Sequence, residues 1–247
     1  MDIFKTFLYI PIYNLLVFLA GALATDVGLA VVIVTVIIKV VLLPMSWSAA
    51  HTQKKMQAIQ PRLKELQELH KDDKETQAKE TLALYKEHGV NPFGSILILL
   101  IQLPILFALY EVVRAHLFTG VDASILYPFV LAPAALSPLF LGIFPLTGPS
   151  IALAVIAALA QLAFGFIAAP TPPPPSGKEP SLSEEMARMT TLQIKYFLPV
   201  LIGVIAYAGG GAIALYFATS ALFSLVQQLA VNKFVKDPPH VSVAASI

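Results

Sequence analysis

The chain has no cysteine among its 247 residues, so disulfides, thiolate metal sites, thiol nucleophiles and cysteine-linked lipids are all excluded. It is also poor in charge: 13% of its residues are Asp, Glu, Lys or Arg, against about 25% in an ordinary soluble domain. A formal net charge of +1 lacks the basic excess that phosphate binding demands, so sequence-specific nucleic acid is not expected as a partner. Neither His-Glu-x-x-His, nor a phosphate-binding glycine loop, nor a pair of carboxylates inside an apolar segment occurs. The histidines, His51, His70, His88, His116 and His240, are too scattered to form a local ligand motif. No enzymatic activity and no cofactor are therefore expected. Met1 to Lys5 lack a multiply charged leader and no small-x-small cleavage site follows, so the N-terminus is expected to be retained.

Apolar residues, in contrast, make up 57% of the chain and fall in long runs. A crossing helix needs about 20 of them to traverse roughly 30 Å of hydrocarbon. Gly28 to Pro44 with its flanks, broken only by Lys39, is a first span, and Phe93 to about Leu117, with Pro104 as its expected kink, is a second. Ser150 to Ala169 is a third, and Leu192 to about Val231 holds two more, divided at Gly209-Gly210-Gly211. The expected fold class is thus an all-α membrane protein with a five-span core. Phe7 to Leu23, with Pro11 and Asn14, reads as an N-terminal helix in the interface, a further span being the alternative. Leu126 to Leu146 is apolar, but Pro128, Pro133, Pro138 and Pro145 would break any helix, which predicts an ordered loop.

Thirteen of the sixteen Lys and Arg residues fall in Ser46 to Asn91, in the Pro-rich linker and its flank, or in the tail, while Phe118 to Pro149 has none. The positive-inside rule makes the former cytoplasmic, with the N-terminus outside and the C-terminus inside. Between the first two spans, Met56, Ile59, Leu63 and Leu66 recur at helical spacing, and Ala78, Leu82 and Tyr85 repeat the pattern beyond Lys71-Asp72-Asp73. A cytoplasmic helical hairpin results, closed by His88-Gly89. Pro172 to Pro175 mark a stiff linker between the third and fourth spans.

Lys39 has two readings. A cation inside a span usually faces a polar cavity or a partner, yet this one is five residues from Pro44, about 8 Å of helix rise, near enough to snorkel. Gln102, Gln161, Gln227 and Gln228 add amides to the second, third and fifth spans, where each alone would commonly bond to a neighbouring helix. Together they suggest a polar interior. Glu111 and Arg114 read as an interfacial ion pair.

Five strings follow one another along the chain: Ile38-Lys39-Val40-Val41-Leu42-Leu43-Pro44, Lys54-Lys55-Met56-Gln57, Tyr85-Lys86-Glu87-His88-Gly89-Val90-Asn91-Pro92, Gln102-Leu103-Pro104-Ile105-Leu106-Phe107-Ala108-Leu109-Tyr110 and Ser224-Leu225-Val226-Gln227-Gln228. In this order they resemble the YidC/Oxa/Alb family of membrane protein insertases. The resemblance runs from about residue 8 to 234. It implies five core spans around a hydrophilic groove open to the cytoplasm, in the bacterial inner membrane. It also implies that Lys39 is the groove cation, that Gln102 lines the groove, and that the hairpin meets nascent membrane protein clients or their carriers, with the lipid bilayer as receiving phase and the Sec translocon or ribosome as further partners. No ATP site is required. The family usually has arginine at the position of Lys39 and asparagine at that of Ala221; the tail, with Lys233 and Lys236 alone, lacks a basic ribosome-binding extension. The rival reading from residues alone is a small solute transporter or channel, and a weaker one is a scaffold.

Overall fold

The computed structural model describes residues 3–23, 25–71, 73–91, 94–115, 120–169 and 182–234. Most of the Pro-rich linker and the tail beyond Phe234 lie outside the described residues, as does the side chain of Arg114, and with it the expected Glu111 pair. Among the described residues the regular structure is helical apart from one short strand pair, and the protein is an all-α membrane protein.

A π-helical turn, Lys5–Tyr9, leads into α1, Ile10–Ala22. A tight turn then reaches α2, Val27–Val41, whose first turn is capped by Asp26: its carboxylate accepts from the Leu29 amide at 3.0 Å. At Leu42 the chain bends by 63° and continues as α3, Leu43–Leu69. Pro44 explains the break, because its ring and missing N–H cannot extend α2 but suit the first turn of a new helix.

α3 and α4, Lys74–Glu87, form the expected hairpin. Asp73 caps α4, its carboxylate accepting from the Thr76 hydroxyl at 2.6 Å and from the Glu75 and Thr76 amides at 3.1 Å. The Thr76 hydroxyl bond, then the backbone bonds, hold the Asp73 carboxyl below its usual range. At the far end Gly89 adopts φ +59° and the Val90 amide returns to the Tyr85 carbonyl at 2.8 Å, a left-handed helix stop that glycine makes without strain. The hairpin core comprises Ile59, Leu63, Leu84 and Val90, with Met56 and Tyr85 against it. The expected face on α4 is rotated: Leu84 is buried, whereas Leu82 is 57% exposed and Ala78 is exposed. Leu84 and Tyr85, which adjoin in sequence, straddle the contact line, so counting from Ala78 placed the stripe about a fifth of a turn away.

The remaining helices are α5, Gly94–Ala115, which runs through Pro104 without a break; α6, Ile151–Ala168; α7, Leu182–Leu192; α8, Leu198–Gly209, joined to α7 by a π-helical turn; and α9, Gly211–Phe234. Gly210, at φ +92°, separates α8 from α9, as the triple glycine predicts. α6 packs against both α8 and α9, with small residues that let backbones approach: Ala154 and Ala158 lie against Gly203 of α8, and Gly165 against the Ile194 backbone in the π-helical turn before it. By length and composition Lys5–Ala22, Ile151–Ala168, Arg188–Gly209 and Gly211–Phe234 each suffice to cross a membrane, and the bent pair Val27–Val41 with Leu43–Leu63 makes a fifth candidate. Leu100–Val113 is the shorter apolar stretch of α5. The N-terminal segment thus meets the requirement for a span that was expected of the others.

Opposite the hairpin, residues 120–149 form an ordered loop. Leu139–Phe140 and Phe144–Pro145 pair antiparallel about a tight turn, and Ser137 bridges to Asp26. Asp26 has a second task, since its other carboxylate oxygen accepts from the Leu141 amide at 2.8 Å. Phe140 lies on Gly28, where a β-carbon would collide with its ring, and at Gly211 a β-carbon would collide with the Pro145 carbonyl. This loop is also tied to α1. Buried Asn14 donates to the Ile125 carbonyl at 2.9 Å and accepts from the Tyr127 amide at 2.6 Å, while the Tyr13 hydroxyl accepts from the Asp122 amide at 2.7 Å. The middle of α1 and its C-terminal end are therefore both fastened to the same loop.

Candidate functional site

α9 begins at the loop end and ends beside the hairpin, and α2 with α3 runs parallel to it: the contacts pair 39 with 224, 46 with 227 and 54 with 232. Along α9, Tyr216, Ser220, Ser224 and Gln227 recur every three or four residues, which puts them on one face. On α2 and α3, Thr35, Lys39 and Ser46 make a matching stripe. These two stripes meet as a seam.

Lys39 sits half-buried in the last turn of α2, where the helix dipole favours a cation. Its ammonium donates to the Ser224 hydroxyl at 3.3 Å. Among the described residues no carboxylate pairs with it. One turn further along α9, the Gln227 side-chain carbonyl lies 3.1 Å from the Ser46 hydroxyl, whose one proton it shares with the Leu43 carbonyl at the same distance. Removing an ammonium from water without a counter-charge is worth several kcal/mol against folding, and a single neutral hydroxyl does not offset that. A cation kept in such a place is a functional-site candidate on physical grounds. Its side chain is turned to the neighbouring helix rather than straight along α2.

Gln102 reaches the same helix from another side: its amide donates to the hydroxyl of Tyr216, a side chain that is 1% exposed. Tyr216 and Ser224 are eight residues apart, about 12 Å along α9. α9 is thus the common wall for both Lys39 and Gln102. Gln228 bonds instead along its own helix to Asn232 at 3.1 Å. Gln161, half-buried on α6, shares a helical face with Ala154 and Ala158, and Ala158 lies against Gly203 of α8.

At the hairpin's base two consecutive side chains close helix ends. Gln53 donates to the Ala168 carbonyl, at the end of α6, and Lys54 to the Asn232 carbonyl, near the end of α9, both at 3.4 Å. The last carbonyls of a helix have no partner within it, and an amide and an ammonium satisfy them. Of the hairpin residues, Met56, Ile59, Leu63 and Tyr85 pack inward, burial raising the Tyr85 phenol above its ordinary pKa; Leu82 faces outward.

Sequence reasoning named Lys39, Gln102 and Gln227 but passed over Thr35, Ser46, Tyr216 and Ser220 and gave Ser224 no role. The missed signal was the hydroxyl spacing on α9, which is weak because Ser and Thr in apolar helices usually bond their own backbone. Thr35 does so, to the Val31 carbonyl at 2.7 Å, as does Thr219, to that of Leu215 at 2.8 Å.

Fold and seam define a multi-pass helical membrane protein with a half-buried cation and a helical hairpin at one end of the bundle. The model of the 60Kd inner membrane protein family matches residues 18–238, and the chain belongs to that family. A membrane protein insertase YidC of Fusobacterium nucleatum is 31% identical over 229 residues, 90% of this chain and 97% of the relative. One of Oceanobacillus iheyensis is 28% identical over 94% of this chain and 84% of its own length. Another, of Chlorobaculum parvum, is 28% identical over 99% of this chain, which spans 38% of that longer relative. Membership of this family supports an insertase function and a place in the inner membrane.

Proposed function

We propose that the protein inserts client proteins into the bilayer, admitting a client's hydrophilic segment along the α2–α9 seam and releasing its apolar segment to lipid. The observation that carries this reading beyond family membership is the direction of Lys39, whose ammonium meets the Ser224 hydroxyl of the facing helix. A polar path matters because each unsatisfied backbone group in hydrocarbon costs several kcal/mol, which is the barrier to carrying a tail across. Lys39 attracts acidic tails. The client's own apolar span then partitions into lipid, and that burial completes the step without nucleotide hydrolysis.

In this reading the hairpin end is cytoplasmic, in keeping with its eight Lys and Arg between Ser46 and Asn91, and the ordered loop is on the outer side. α1 lies along the outer surface, its middle and end fastened to that loop through Asn14, Tyr13 and the Thr25–Ser137 backbone bond. Clients or their carriers, a ribosome or Sec translocon among them, meet the hairpin first. The test is reconstitution in liposomes with a single-span client bearing an acidic tail, scored by protease protection of the tail. Protection without solute leakage supports the proposal. Solute flux without protection would replace it with the transporter reading, and neither result would leave a scaffold.

A further inference from the structure

Residues 120–149 contain one charged side chain, Asp122, and its carboxylate is engaged by the Ser124 amide at 3.0 Å and hydroxyl at 2.6 Å. Yet this loop holds several large apolar side chains outward: Phe129 is 71% exposed, Leu131 85%, Leu141 55% and Ile143 71%. Their exposure does not come from a loose chain. Val130 and Leu146, beside them in sequence, are buried in the main core, and backbone bonds join Val130 to Tyr127, Ser137 to Thr25, Leu146 to Pro138 and Ala212 to Leu146. Inward-facing residues seal the helices while their neighbours are presented outward.

Depth decides what covers them. Phe140 packs side-on against Gly28, in the first turn of α2, and the Pro145 carbonyl lies against Gly211, the first residue of α9. The strand pair therefore lies level with the first turns of two helices, at the height where a crossing helix leaves the hydrocarbon, and not as a cap standing above it. The apolar surface is also continuous with that of the bundle, since α6 follows the loop directly and its first residue, Ile151, is 69% exposed. Apolar side chains at that depth, with no cation among them, fit the boundary between headgroups and acyl chains.

We propose that this loop is a lipid-inserted wedge: Leu141 and Ile143 at the turn of the strand pair, together with Phe129 and Leu131, are seated among the lipids of the adjoining leaflet. The protein then contacts that leaflet through a rigid non-helical element as well as through its helices. Because the loop's other face holds α1, α2 and α9 together, the wedge fixes the height of their ends relative to the bilayer.

The test uses the full chain in liposomes, with its only tryptophan removed as Trp47→Phe and a single reporter restored as Leu131→Trp or Ile143→Trp. Lys71→Trp, on the exposed hairpin turn, serves as the water-facing control, and Val155→Trp, on the exposed face of α6, as the lipid-facing one. Fluorescence is quenched by phosphatidylcholine brominated on its acyl chains and, separately, by acrylamide on both sides. The loop reporters are expected to be quenched by bromolipid as Val155→Trp is, most by bromines nearest the headgroup, and to resist acrylamide at least about threefold better than Lys71→Trp. Acrylamide quenching equal to that of Lys71→Trp, without bromolipid quenching, would overturn the proposal in favour of a water-exposed loop. Protection from both quenchers would overturn it too, since a second copy or another protein would then be covering the wedge. All substituted positions except Trp47 are exposed, and circular dichroism with size-exclusion profiles verifies that each variant folds.

Discussion

The ammonium of Lys39 and the hydroxyl of Ser224, 185 residues apart in sequence, face each other at 3.3 Å across the α2–α9 seam. At an effective dielectric near 20, opposite unit charges 4 Å apart attract by about 4 kcal/mol before desolvation is counted. Since about 1.4 kcal/mol is tenfold in rate, Lys39→Ala is expected to slow insertion of acidic-tailed clients about tenfold or more, and Lys39→Glu further still. Lys39→Arg is expected to preserve it, because the positive charge is kept. Protease protection in liposomes measures all three, and equal insertion by the three variants would remove the cation from the mechanism.

Ser224 positions Lys39 in this account and does not attract clients itself. Ser224→Ala is therefore expected to reduce insertion of acidic clients by a few-fold, less than Lys39→Ala, while neutral-tailed clients insert as before. In the Lys39→Ala background the same change should add nothing. Additive losses would assign Ser224 a separate role.

Half-buried Gln102 and buried Tyr216 form a polar pair, and removing Gln102 leaves the buried Tyr216 hydroxyl unsatisfied, at about 1–3 kcal/mol. Tyr216→Phe and Gln102→Leu should each lower thermal stability in detergent. The double variant is expected to fall less than their sum, and strict additivity would argue that the pair does not form.

The hairpin separates stability from recognition. Leu63→Ala empties part of its buried core and is expected to destabilise it by about 2–5 kcal/mol, seen as faster amide exchange in α3 and α4. Leu82→Glu, on the exposed face, should leave exchange unchanged, with an effect within about 0.5 kcal/mol, yet slow client delivery if that face meets clients. Unchanged delivery kinetics would take Leu82 out of the recognition surface.

Asp73 gives the hairpin an acid limit. Its carboxyl titrates lower in the folded hairpin than in the unfolded chain, chiefly through the Thr76 hydroxyl. The stabilisation is complete above the unfolded value and is lost as pH falls through the folded one. The protection of the Glu75 and Thr76 amides, relative to their intrinsic exchange at each pH, should fall over that interval. Asp73→Asn, which caps without titrating, should abolish the pH dependence and keep much of the protection.

Composition and loop charge were enough to read the helical membrane class, because hydrocarbon admits few alternatives to a self-bonded helix. The hairpin turn at Asp73, the stop at Gly89 and the break at Gly210 were legible for the same local reason: each needs a particular residue type at a particular backbone angle. Partnerships across the bundle were not. Nothing near Asn14 in the sequence signals that it would secure the loop at Ile125 and Tyr127. Lys39 was identifiable as unusual, but its choice between Ser224 and the membrane surface depended on how α2 and α9 lie side by side. The rotation of α4 that buries Leu84 and frees Leu82 came from tertiary contact overriding a pattern of three residues.

α3 begins one residue after the C-cap of α2, with no slack between them, and its Gln53 and Lys54 hold the ends of α6 and α9. A pull on the hairpin tip is therefore expected to reach Lys39 through nearly continuous helix and to strain the ends of α6 and α9 on the way. Cleaving the chain at the His70 to Asp73 turn would leave that linkage whole, whereas a flexible insert at Leu42 would uncouple it while sparing every side chain of the seam.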